Sequence, residues 1–346
     1  MNAILGIIFH FIGGFASGSF YIPYKNIKKW SWESGWIIGG VASWIIAPWV
    51  FGLITVKGLV PSIQAADSQT IFYTVLFGVL WGFGGLTYGL TMRYLGVSLG
   101  VAVALGFCAA FGTLIPPIYE GRFGELLATS SGQITLGGVA LCVIGIFVCG
   151  KAGMMKEKEL DKGSQQESIK EFNLKKGLFV GTFCGIMSAC FAFGLSAGSP
   201  IAANAELNGT DPLFKNNAIL PVLLIGGFAT NFIWCMILNF RNKSFSDYTN
   251  AQTPLKTNYL WALLAGVTWY FQFFFYGMGQ SKLGKSLDFA SWTLHMAFII
   301  LVGTLWGLFY KEWKGASQTT MRMLYIGLFL IILSSVLIGM ASYFVS

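Results

Sequence analysis

The chain has 346 residues, of which 55% are hydrophobic and only 10% charged, with a formal net charge of +8. An ordinary soluble domain carries about 25% charged residues, so this composition excludes the aqueous enzyme classes and indicates a protein whose bulk lies in the lipid bilayer. The positive balance does not point to nucleic acid, because the basic residues cluster in connectors between apolar runs, where membrane topology places them.

A span needs about 20 apolar residues. Windows of that kind fall at about 3–23, 35–55, 70–92, 97–118, 134–150, 177–199, 217–239, 258–280, 287–310 and 321–344, which predicts an all-α polytopic membrane protein of ten helices. The first window has no basic segment before it and no small-residue cleavage site after it, so it reads as a retained span rather than a signal peptide. Its His10 shares a face with Gly14, Ser17 and Tyr21. The connector KNIKKWSWES follows, with Glu33 beside lysines and with Trp30 and Trp32 read as an interfacial belt. The second window carries Ser43 and Trp44, the third Trp81, and the seventh Asn231.

The charged segment 151–176 divides the chain into five-helix units at 1–150 and 177–346. Connectors after the first, third, fifth, seventh and ninth windows hold most of the 22 Lys and Arg residues, whereas the others hold only Lys57, Arg122, Lys215, Lys282 and Lys285. The positive-inside rule therefore puts the linker in the cytoplasm and both termini on the periplasmic side. With five helices per unit, the two units have opposite orientations. They also align: Gly78, Trp81, Tyr88 and Gly96 match Gly266, Trp269, Tyr276 and Gly284 at a shift of 188, and Gly39 and Gly40 match Gly226 and Gly227 at 187. Two inverted five-helix repeats place a substrate site near the bilayer midplane and move by rocking about it, so transport is the reading that the repeat supports.

The stretch Trp269–Met296 concentrates the chemistry. On a helix, Trp269, Gln272 and Tyr276 share one face, and Asp288, Ser291, Trp292 and His295 share another. Ionisable groups inside a span are costly and few are kept without a role. His295 and His10 read either as substrate or proton groups or as satisfied interhelical hydrogen bonds. Asp288 reads as a proton carrier or as a helix cap, and Glu33 as a coupling residue or as an interfacial charge balancing the lysines. The mid-span tryptophans Trp44, Trp269 and Trp292 offer platforms for the C–H faces of a pyranose or plain core packing, while Gln272, Asn231, Tyr276, Tyr21 and Ser43 supply polar groups for its hydroxyls. The six cysteines sit in apolar segments without metal or disulfide spacing, and no nucleophile–base pair or phosphate loop occurs, so neither an enzyme nor a cofactor is expected. A neutral polar solute fits this inventory.

The blocks FYIPYKNIKKWSWE (20–33), LTYGLTMRYLGVSLG (86–100), EFNLKKGL (171–178), WYFQFFFYGMG (269–279), SWTLHM (291–296) and KEW (311–313) give the chain, over nearly its full length, a resemblance to the bacterial L-rhamnose–proton symporters of the drug/metabolite transporter superfamily. The resemblance implies uptake of L-rhamnose, or of a related L-sugar, driven by a co-transported proton across the bacterial inner membrane. It aligns His10, Glu33, Gln272, Tyr276, Asp288 and His295 with residues associated with the family. One departure is Gln280, where some members carry histidine, so no proton relay is expected at that position. The competing expectations are an exporter of the same superfamily and a membrane sugar sensor without flux. Oligomeric state has no signature in the sequence.

Overall fold

A computed structural model describes residues 2–95, 97–159, 173–283, 290–311 and 313–341. The described residues are helical throughout, joined by turns and short connectors. In chain order the helices are α1 Asn2–Ser19, α2 Tyr21–Tyr24, α3 Trp32–Gly40, α4 Ala47–Thr55, α5 Leu59–Gln64, α6 Ser68–Leu95, α7 Val97–Tyr119, α8 Phe123–Ala128, α9 Ser130–Glu159, α10 Leu174–Ala197, α11 Ser199–Leu207, α12 Leu220–Asn242, α13 Leu255–Leu283, α14 Ser291–Phe309 and α15 Gln318–Ala341. The predicted windows overlap these helices, but the first runs on into α2, the second covers both α3 and α4, and parts of the ninth and tenth lie outside the described residues. Segments 3–24, 32–55, 68–91, 130–156, 175–207, 220–242, 291–309 and 318–341 are eight described segments long and apolar enough to cross a membrane. Helix α13 falls short in apolarity for a local reason, since tryptophan, tyrosine and Gln272 occupy positions that aliphatic residues take in the other spans.

The segment 151–176 is not a loop throughout. Helix α9 runs on to Glu159 and α10 begins at Leu174, so helix enters the linker from both sides. The junction at the α9 end is tight, because Glu159 accepts hydrogen bonds from Ser317 N at 2.7 Å, Ser317 Oγ at 2.7 Å and Thr320 Oγ1 at 2.6 Å. A carboxylate thus satisfies donors at the start of α15 that the helix itself leaves unpaired.

The second span is interrupted by a π-helical turn, Val41–Ile46, between α3 and α4. Pro48 has no N–H to donate to the Trp44 carbonyl, and its ring crowds that carbonyl, so the preceding turn widens.

Connector-to-connector hydrogen bonds fall into two sets. In the first, Lys28 N donates to Asn258 Oδ1 at 3.1 Å, Ser31 N to Asp247 Oδ2 at 2.7 Å and Asn173 N to the Tyr94 carbonyl at 3.1 Å. In the second, Lys57 N donates to Thr210 Oγ1 at 3.0 Å, Asn208 Nδ2 to Ser62 Oγ at 2.8 Å and Asn217 Nδ2 to Thr55 Oγ1 at 3.2 Å. The first set joins connectors at the Lys- and Arg-rich end of the bundle, the second those at the opposite end.

Packing follows a recurrent pattern. Helix α1 lies against α13 and α14, α10 against α6 and α7, and α9 against α15. Two crossings are closed to the backbone: Gly39 meets Gly266, and Gly78 meets Gly226, so that a Cβ on Gly266 would collide with the Gly39 carbonyl and one on Gly78 with the Leu223 carbonyl. The six cysteines are buried and unpaired.

Candidate functional site

Helix α13 presents one long face to α1. Trp269 stacks on Phe20 at 4.5 Å between centroids, the Gln272 carbonyl lies against Gly13, and the Tyr276 ring stands edge-on to His10 at 5.2 Å. The i, i+3, i+7 spacing read from the sequence therefore describes a real face. Helix α14 adds the second wall. His295 contacts His10 at 5.9 Å and Tyr276 at 5.3 Å, both edge-on, and Trp292 meets Tyr276 at 5.6 Å. Four candidates from three helices thus form one cluster.

The cluster is closed off from the surface. His10 is 0% exposed and His295 2%, and glycine makes the room, because a Cβ on Gly279 would stand 2.7 Å from His10 Nε2 and one on Gly13 would stand 2.9 Å from His295 Cε1. Burying a polar group without a partner costs free energy. Even so, His10 Nδ1 and Nε2, His295 Nδ1, Gln272 Nε2 and Ser291 Oγ are buried with no hydrogen-bond partner among the described residues. The His295 ring does bond to the His10 backbone. A concentration of unpaired donors and acceptors within aromatic walls is the inventory of a site for a small polyhydroxy solute.

Trp292 is fixed from behind: its Nε1 donates to the Cys108 carbonyl at 3.0 Å, and its ring stacks on Phe191 at 5.7 Å. Phe191 also stacks on Phe273 at 4.7 Å. A second aromatic group continues from this wall. Trp81 packs on Phe273 and on Trp44, and Trp44 meets Trp269 at 5.3 Å. Ser43 Oγ and Trp44 Nε1, both in the π turn, are also unpartnered among the described residues.

The remaining candidates are placed differently. Asn231 is committed within the protein, accepting from Trp36 Nε1 at 3.1 Å and donating to the Gly227 carbonyl at 2.9 Å, so it shapes the wall rather than offering a free amide. Glu33 is 3% exposed and accepts from Ser244 Oγ at 2.7 Å and Asn242 Nδ2 at 3.0 Å, where the sequence suggested a charge set among lysines. It ties the first turn of α3 to the end of α12, at the connector end of the bundle. Tyr21 is 49% exposed and lies at the rim of a separate pocket. Asp288 lies outside the described residues. Sequence reasoning missed Phe191, the Cys108 carbonyl, Gly13 and Gly279. Gly279 had no distinguishing signal among the 44 glycines of the chain, whereas Gly13 stands in a Gly13–Gly14 pair within a span, a mark of close helix packing.

Comparison with known proteins places the chain in a family. The sequence model of the family described as L-rhamnose-proton symport protein (RhaT) matches residues 1–342. A protein of Yersinia pestis (strain Pestoides F) named L-rhamnose-proton symporter is 40% identical over 340 residues, covering 97% of each chain. One of the same name from Citrobacter koseri is 38% identical over 343 residues, covering 98% of each. The relatives are named as symporters, which are transporters rather than enzymes. A match across nearly the whole length, together with relatives of this identity, shows that the chain belongs to the L-rhamnose-proton symport protein family.

Proposed function

We propose that this protein imports L-rhamnose together with a proton, by alternating access around the cluster of His10, Gln272, Tyr276, Trp292 and His295. The observation that carries the reading is the set of buried, unpartnered polar atoms on α1, α13 and α14, enclosed by tryptophan and phenylalanine, in a chain of this family. A pyranose satisfies both sides of such a site, since its hydroxyls pair with the amide and imidazoles while its C–H faces lie on Trp292 and Tyr276.

A neutral sugar gains nothing from the membrane potential, so accumulation needs a co-transported charge, worth about 2.3 kcal/mol per 100 mV. Asp288 stands four residues before Trp292 and seven before His295 in the sequence, and is the group to which we assign the proton. Neutralised, it permits the loaded protein to reorient. His10 and His295 hold the sugar and share the proton.

The architecture that we assign is ten spans in two inverted five-helix repeats, within the drug/metabolite transporter superfamily, with α7 and α13 crossing the bilayer as well. Two features support it. The repeat pairs Gly39 with Gly226 and Gly78 with Gly266, and the two glycine crossings are exchanged by that pairing. Likewise α1 packs on α13 and α14 as α10 packs on α6 and α7. In the bacterial inner membrane, the linker end faces the cytoplasm and both termini face the periplasm, as lysine asymmetry requires.

Rhamnose-induced pH change in proteoliposomes tests the function. Wild-type protein alkalinises the medium when rhamnose is added outside. Asp288→Asn mimics the protonated state, keeps rhamnose exchange and loses accumulation. An Asn variant that still concentrates rhamnose would return the proton to His10, His295 or Glu33.

A further inference from the structure

A pocket separate from the imidazole cluster opens at the Lys- and Arg-rich end of the bundle, lined by Tyr21, Tyr24, Trp30, Ser31, Trp32 and Gly35. It is held in shape from two sides, because Ser31 N and Ser34 Oγ both donate to Asp247 Oδ2, at 2.7 and 2.8 Å, and join the start of α3 to the connector after α12. Its walls are ring faces. Trp36 is sandwiched by Trp32 at 5.0 Å and 22° and by Tyr24 at 6.0 Å and 25°. Trp30 stands edge-on to Tyr259 at 5.0 Å. Trp32 lines the pocket and is 50% exposed.

The lining is uncharged, which disfavours an anionic or cationic occupant. It is not purely apolar, since Trp30 Nε1 and the Tyr24 hydroxyl are buried without a partner among the described residues. The pocket is also connected to the central site by an unbroken run of ring contacts. Trp36 meets Trp269 at 5.0 Å, Trp269 meets Trp44, and Trp81, Phe273 and Phe191 lead on to Trp292. The Tyr24 hydroxyl is wedged into the notch left by the missing side chain of Gly39, so this ring stands between the pocket and the Trp269 wall.

From this we infer that the pocket is a vestibular subsite for the neutral pyranose, with Trp32 as its stacking platform. The inference rests on the sugar reading of the central site.

The test uses full-length Ser31→Cys protein, with the parent as control because its own cysteines are buried. Labelling by a small methanethiosulfonate is timed with and without saturating L-rhamnose, and central-site binding is measured separately by calorimetry. Rhamnose should slow labelling several-fold. The slowing should persist when Gln272→Ala cripples the central site and disappear with Trp32→Ala. Slowing that vanishes with Gln272→Ala would mean that central binding is merely transmitted to Ser31, and would overturn the subsite. So would unchanged labelling in protein that still binds rhamnose, or slowing by detergent or lipid tails and not by the sugar. Protein that binds no rhamnose by any readout would remove the sugar reading and the subsite together.

Discussion

Gly279→Ala probes the imidazole cluster without deleting any of its functional groups. The added methyl would stand 2.7 Å from His10 Nε2 and 2.8 Å from both Cδ2 and Cε1. All three atoms belong to one rigid ring held edge-on by Tyr276 at 5.2 Å and His295 at 5.9 Å, so the imidazole cannot swing aside as a lysine tip would. Overpacking of a closed core costs about 1–3 kcal/mol. Replacing a mid-helix glycine returns roughly 1 kcal/mol of helix propensity. The variant should therefore fold, with a small change in melting temperature, while the displaced His10 loses its position in the site. Rhamnose affinity should fall by about 1–3 kcal/mol, which is about 5- to 150-fold in Kd. Calorimetric titration of purified protein reads this directly. Gly303→Ala is the control, since a Cβ there meets nothing within 4 Å, and its affinity should match wild type. Wild-type affinity in Gly279→Ala would refute the placement of the His10 ring.

Other outcomes follow from the same packing. Gln272→Ala should weaken rhamnose binding by about 1–3 kcal/mol, because sugar hydroxyls lose a partner in a buried site, whereas Leu260→Ala, 63% exposed, should not; equal losses would overturn the assignment of the α13 face. The hydrogen bonds from Ser317 and Thr320 hold the Glu159 carboxyl below its ordinary value. A depressed folded value adds stability above the unfolded pKa, and that stability is lost as pH falls through the folded one, so the α9–α15 junction should loosen on acidification below the ordinary glutamate range. Faster hydrogen exchange at 317–320 on acidification, abolished by Glu159→Gln, is the expected signature. A reporter active only in the cytoplasm should be silent after Ser346 and active within 151–176, and the reverse pattern would invert the orientation.

Much of the helical layout was legible because apolar windows act over whole segments and survive local irregularity. The α13 face was legible too, since one helical period fixes which residues point toward α1 whatever they meet there. Partner choice was not. Asn231 looks in sequence like a spare amide, yet Trp36, distant in the chain, takes its oxygen. Glu33 sits between lysines in the chain but is answered by Ser244 and Asn242 from another connector. Phe274 lies off the helical face that carries Gln272 and Tyr276, yet it is 8% exposed and packed against Phe51 and Phe214. Its truncation should cost about 3–5 kcal/mol of stability, so it is no neutral control. The π turn also lay beyond a periodicity argument, because an apolar window has no phase in which to register it.

That turn makes the second span two rods out of phase. One extra residue in a turn rotates everything before it by about 100° relative to a continuous α-helix. The rod that carries Trp36 and Gly39 is keyed to Trp269 and Gly266, and the rod that carries Phe51 is keyed to Tyr270, each in its own register. A one-residue deletion between Gly40 and Pro48 would restore an ordinary helix and swing one rod off its partners, which makes it a larger edit than most substitutions in the site. Where relatives differ in length by one residue in this interval, they differ in the pitch of the wall that faces the sugar, even if every wall residue is retained.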